Sequence, residues 1–195
     1  TIYYFTYNIG RPDLIGLFFG LGLAVMFAGL PFVPALAARF GKAGAIQIGA
    51  LFTIVSSVGF YLTPASEHEW TLFWGSLVAL GGAPVAVLGW AMIPDTVEYA
   101  QWKHGKRADG AVYASASFFQ KLGKAVGGAG VALALSAAGY VANQEQTPET
   151  LDAIKQMLTF APIVLMSLAV VLARFYILDD ALHTRIRKEL ESSDW

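Results

Sequence analysis

Residues 111–140 read AVYASASFFQKLGKAVGGAGVALALSAAGY, an apolar run broken by Lys121 and Lys124. A helix rises 1.5 Å per residue, so about 20 apolar residues cross the roughly 30 Å core of a bilayer, and this run is long enough. On that rise Lys121 lies about 15 Å in from Ala111, near the middle of such a crossing. An ammonium at that depth is costly unless water, a counter-charge or a ligand meets it, so it marks a functional site. The competing reading is that Lys121 braces the surrounding helices through their backbone carbonyls.

Working outward, the composition suits a membrane. The 195 residues are 56% hydrophobic and 14% charged, against about 25% charged in a soluble domain, and the mean hydropathy is +0.55. A net charge of −1, from 13 basic and 14 acidic residues, leaves no tail of one sign and speaks against a nucleic-acid partner. The absence of cysteine excludes disulfides, thiol catalysis and thiolate metal sites. Thr1-Ile2-Tyr3-Tyr4 has neither an initiator methionine nor a basic leader, so the chain reads as if it begins inside a longer protein.

Five stretches are long enough to span: about 14–37, 43–63, 70–93, 111–140 and 157–178. Residues 1–10 read as the end of a truncated transmembrane helix, 11–180 as a five-span bundle, and 181–195 as a cytoplasmic tail with a short helix near 181–190. Arg39 and Lys42, then Lys103, Lys106 and Arg107, then Arg185, Arg187 and Lys188 follow alternate spans. The other connections hold only Arg11 and Lys155. Positive charge stays in the cytoplasm, which puts the N-terminal end outside and the C-terminus inside. Pro31, Pro34, Pro84 and Pro162 interrupt spans and predict bends, which suit either a polar pathway or ordinary packing. Gly123-x-x-x-Gly127 predicts a close helix contact.

The densest local pattern is Asp95-x-x-Glu98-Tyr99-x-x-Trp102-x-x-Gly105-x-Arg107-x-Asp109-Gly110, followed by Tyr113, Ser117 and Lys121. It resembles the glycoside-pentoside-hexuronide:cation symporters, the melibiose-carrier family of the major facilitator superfamily. Tyr3-Tyr4-Phe5-Thr6-Tyr7-Asn8-Ile9-Gly10 is similar to that family's seventh span near the outer surface, and Arg39-Phe40-Gly41-Lys42 to its basic turn between the eighth and ninth. The resemblance implies an all-α, polytopic membrane protein, the C-terminal six-helix bundle of a major facilitator fold with its first helix truncated. It further implies a bacterial inner-membrane location, a sugar or glycoside substrate, and alternating access. A coupling cation, Na⁺, H⁺ or Li⁺, would be bound mainly by the N-terminal six-helix half; no cofactor is implied.

Within that frame Ser117 and Lys124 share a helical stripe with Lys121, and Gln120 lies at its edge. Lys121, Ser117 and Gln120 are the expected substrate-binding residues. Asp95, Glu98 and Arg107 are the expected cytoplasmic gate, with Asp95 pairing to Arg107; the alternative is a solvated network that only orients the loop. Catalysis has no support: His68, His104 and His183 read as residues of separate loops, no G-x-S-x-G is present, and the glycine-rich segment after Lys121 lacks the Lys-Ser/Thr of a phosphate loop. A non-transporting structural or channel-like membrane module is the remaining alternative.

Overall fold

The computed structural model describes residues 1–178 and 180–192. Among these, all regular structure is helical: a π-helical turn at Tyr4–Asn8, then α1 (Leu14–Gly29), α2 (Phe32–Leu62), α3 (His68–His104), α4 (Asp109–Ala137), α5 (Pro148–Ala173) and α6 (Asp180–Ser192). By length and composition α2, α3 and α5 can each cross a membrane, and α1 is a shorter apolar helix. α4 has 29 residues but is diluted by its lysines and small side chains.

Local chemistry sets the ends. Leu30 and Pro31 separate α1 from α2, where proline removes a donor from the helical ladder. Inside α2, Gly41 has φ 72° and ψ 164°, a conformation that a Cβ disfavours. The chain therefore breaks there, and Lys42 opens a second helical segment. The apolar stretch expected at 14–37 is thus α1 together with the start of α2, and that at 43–63 is the remainder of α2.

α3 departs furthest from expectation. The span expected at 70–93 runs on, and Asp95 to His104 are helical as well. Charge does not stop a helix, and Pro94 costs it only local bonds. The stop is Gly105, at φ 67°, whose N–H bonds the Gln101 carbonyl at 2.8 Å. At 37 residues, α3 is about 55 Å long, more than the roughly 40–45 Å of a bilayer with its headgroups. Its charge is concentrated in the last turns, from Asp95 to His104. α5 likewise begins upstream of the expected 157–178. The Thr147 hydroxyl accepts the Thr150 N–H at 3.3 Å and Pro148 takes the first turn, a strong start signal. His68 and His104 bound α3, and His183 lies within α6 rather than a loop.

The tightest packing joins α2 to α3. A Cβ on Gly49 would stand 2.6 Å from the Gly81 carbonyl oxygen, and one on Gly81 would stand 2.5 Å from Thr53 Oγ1. Backbones approach this closely only where side chains are missing. The contact expected from Gly123-x-x-x-Gly127 is not made: nothing lies within 4 Å of a Cβ placed at Gly123, Gly127, Gly128 or Gly130. Apolar clusters close both ends of the bundle, one around Tyr4, Phe5, Phe60, Leu135 and Ile154, the other around Val33, Ile46, Leu88 and Ala173.

Candidate functional site

Asp95 is the centre of a polar cluster at one end of the bundle. Asp95 follows Pro94 within α3, and its side chain is only 7% exposed. Lys42, freed by the break at Gly41, reaches Asp95 Oδ2 at 2.5 Å. Tyr176, in the link after α5, donates its hydroxyl to the same oxygen at 3.1 Å. The remaining oxygen, Oδ1, faces His183 Nε2 of α6 at 3.4 Å. His183 Nε2 also stands 2.8 Å from Glu98 Oε2. Neither atom has a formed hydrogen bond in this arrangement, although both are shielded from solvent.

One turn further along α3, the Trp102 indole N–H donates to Glu189 Oε2 at 2.6 Å, and Arg185 Nε donates to Glu189 Oε1 at 2.7 Å. These bonds lower the Glu189 carboxyl below its ordinary range, Arg185 contributing most and Trp102 next. Ile186 is wholly buried. α6 therefore lies along the end of α3, held by one apolar anchor and two polar contacts.

Arg107 does not pair with Asp95. It forms a two-point contact with Asp109, Nε to Oδ2 at 2.8 Å and Nη2 to Oδ1 at 3.1 Å. That bond holds the Asp109 carboxyl low and the guanidinium high. Two residues of separation allow the local pair to form without ordering distant chain, so it outcompetes the expected one. Glu98 and Arg107 line one shallow polar depression with Gln101 and Arg187 of α6, so Arg107 remains beside the cluster.

On α4 the three expected ligand residues stand apart from all of this. Gln120 and Lys121 are exposed and Ser117 is half-buried. None of the three makes a hydrogen bond or ion pair among the described residues. An apolar cleft of about 380 Å³ between α1, α2, α3 and α5, lined by Phe18, Met26, Phe60 and Leu158, contains none of them. At the far end of the bundle, Tyr7 and Tyr140 share a hydroxyl bond at 2.9 Å, Asn8 donates to the Leu151 carbonyl at 2.8 Å and Lys155 to that of Thr63 at 2.9 Å. Among the described residues, no cluster of His, Cys, Asp or Glu could hold a metal ion.

Sequence reasoning did not find Lys42, Tyr176, His183, Trp102 and Glu189 as members of one cluster. A partial signal was present, since the basic turn after Arg39 and the charged end of α3 both follow spans that run in the same direction. The docking of α6 had no local signature beyond its charge alternation.

Residues 1–180 match the family model described as MFS/sugar transport protein. The chain is 36% identical over 193 residues to an uncharacterized symporter of Bacillus subtilis, covering 99% of this chain and 42% of that protein. It is 36% identical over 180 residues to the isoprimeverose transporter of Lactiplantibacillus pentosus, covering 92% and 37%. It is 35% identical over 173 residues to a glucuronide carrier protein homolog of Escherichia coli, covering 85% and 36%. The chain spans about two fifths of the length of the curated relatives it matches. The helical bundle, its apolar crossings and a family match that runs from the first residue to the start of α6 agree: the chain belongs to the MFS/sugar transport family, whose members are integral membrane transporters.

Proposed function

We propose that this chain forms the C-terminal bundle of a secondary active symporter for a glycoside, pentoside or hexuronide, driven by Na⁺, H⁺ or Li⁺ and working by alternating access. The single observation that carries the reading is Lys121, an unpaired ammonium halfway along α4 in a chain whose relatives are named for isoprimeverose, a glucuronide and symport. Lys121 binds sugar hydroxyls, or a carboxylate contributed by an N-terminal six-helix half, while Ser117 and Gln120 add hydrogen bonds from the same face. Its positive charge favours an acidic glycoside over a neutral one. The coupling cation is held mainly by the N-terminal half.

The bundle sits in the cytoplasmic membrane of a bacterium with Arg11 outside and α6 inside, an orientation that the distribution of basic residues supports. Asp95, Glu98 and Arg107 then belong to the cytoplasmic gate, which closes when the two halves rock together. The test is uptake of neutral and acidic labelled glycosides into proteoliposomes by the complete carrier, under imposed Na⁺ and pH gradients. Lys121→Ala is expected to weaken substrate binding about tenfold or more, since a hydrogen bond to a charged group is worth about 1.5–3 kcal/mol. Unchanged affinity and coupling would remove Lys121 from the cavity, and flux independent of any ion gradient would favour a channel-like module.

A further inference from the structure

We propose that His183, Asp95 and Glu98 form a proton-binding site whose occupancy latches α6 onto the end of α3. The geometry leaves a place for one proton. Lys42 and Tyr176 both address Asp95 Oδ2, so Oδ1 is left facing His183 Nε2 at 3.4 Å. Glu98 Oε2 faces the same nitrogen at 2.8 Å, and both atoms are shielded from water without a formed hydrogen bond. Two carboxylate oxygens can only accept, so the nitrogen between them completes the arrangement when it carries a proton to donate. A neutral ring with its proton on this nitrogen can donate to one oxygen but leaves two carboxylates against the single Lys42 charge, whereas an imidazolium adds a positive charge beside Glu98, which Arg107 meets only at longer range. A neutral ring with its proton on the other nitrogen sets a lone pair against both carboxylates, and shielded, unanswered acceptors are costly.

Among the described residues the charged and titratable groups about this nitrogen are the following, with Arg107 acting on Glu98 by charge from beside the cluster. Asp95 and Glu98 come from α3, Lys42 from α2 acts through Asp95, and Tyr176 from the link after α5 bonds Asp95 as well. Arg185 and Glu189, on α6 itself, are engaged with one another and with Trp102 one turn away. The site contains none of Ser117, Gln120 and Lys121, the residues of the unpaired face of α4. Its consequence is regulatory. Acidification holds the C-terminal helix across the end of α3, and a neutral to alkaline medium releases it, uncovering Glu98 and the polar depression it shares with Arg107 and Arg187.

The chain has no cysteine, so a pair of probes can be placed without removing native thiols. Lys103→Cys on α3 and Lys188→Cys on α6 are both exposed. With spin labels on that pair, the full chain in lipid nanodiscs is measured by double electron–electron resonance at about pH 5.5 and about pH 8.5, which bracket the range where histidine ordinarily changes charge. The expected result is one narrow distance at the lower pH, with the ratio of docked to released forms falling about tenfold at the higher pH. His183→Gln is expected to abolish the pH response, and His183→Lys to stay docked at both values. Glu98→Gln, which keeps the histidine, is expected to lose the response as well. A wild-type distance that does not move with pH overturns the proposal. So does a His183→Gln or Glu98→Gln chain that responds as the wild type does.

Discussion

Asp95 in α3 and Lys121 in α4 are both charges carried by apolar helices, and the chain surrounds them in opposite ways. Asp95 is buried and met by groups from α2, from the link after α5 and from α6. Lys121 is exposed, and the glycines that follow it on α4 have open space where a side chain would go. One charge is answered by the chain itself, the other is left unanswered. A buried charge that is paired contributes to the fold, and removing its partner leaves a costly orphan. An unpaired charge on an open helix contributes nothing to this fold, and its value has to lie in something it meets from outside.

That contrast is broken or sharpened first at Asp95. Asp95→Ala should destabilise the chain by about 3 kcal/mol, the order found when one member of a buried pair is lost and Lys42 is left behind. Unfolding in detergent, followed by circular dichroism, measures it. Adding Lys42→Met should recover most of the loss, because the second substitution removes the orphaned charge. If the double variant is as unstable as the sum of the single ones, Lys42 and Asp95 are not coupled.

A pair of glycine substitutions carries the comparison into packing. Gly81→Ala should cost about 1–3 kcal/mol, since its new methyl would press on Thr53 and force α2 from α3. Gly127→Ala, with nothing near it, should shift stability by no more than about 1 kcal/mol, and toward greater stability, because alanine is the better helix former. Equal losses at the two positions would mean that α4 is packed after all. Lys121→Met completes the series. It should change the stability of this chain by about 0.5 kcal/mol or less, as surface substitutions do, while impairing transport by the complete carrier.

The two regions were also unequally legible. Lys121 stood out because a single ammonium in an apolar run needs no knowledge of the rest of the chain. The helices were legible for the same reason, as long apolar runs. The Asp95 cluster was not, because its members lie far apart in sequence and only folding brings Lys42, Tyr176 and His183 to one carboxylate. The end of α3 was misread, since the span was expected to stop near residue 93 and the helix runs on to His104. The true stop, Gly105, was visible as a glycine after a run of basic residues, the pattern that ends helices. The start of α5 was hidden by the polar residues before Met157, although Thr147-Pro148 is a recognisable cap and first turn. Arg107 was assigned to the more distant carboxylate when Asp109, two residues away, satisfied it locally.

The smallest expected effect separates the two contacts that hold α6. Glu189 is bonded by Arg185 and Trp102, and its carboxyl is lowered below the ordinary range, Arg185 being the larger cause. For an acid lowered in the folded state, the stabilisation is complete above the ordinary carboxylate value of about 4.3 and is lost as pH falls through the depressed one. Acid therefore weakens this contact, whereas acid strengthens the proposed His183 contact, and the two act in different pH ranges. With ¹⁵N-labelled tryptophan, the Trp102 indole N–H resonance should hold its bonded position near pH ~5.5, where α6 is docked, shift as α6 is released at higher pH, and shift separately in strong acid as Glu189 is protonated. Glu189→Gln should abolish that acid shift without touching the response near neutral pH, and high salt should weaken the Arg185 contribution because the pair is exposed. An indole that held its bonded position from about pH 5 through about pH 8, the range of histidine, would mean that α6 stays on α3 when the His183 contact opens, and would count against the latch.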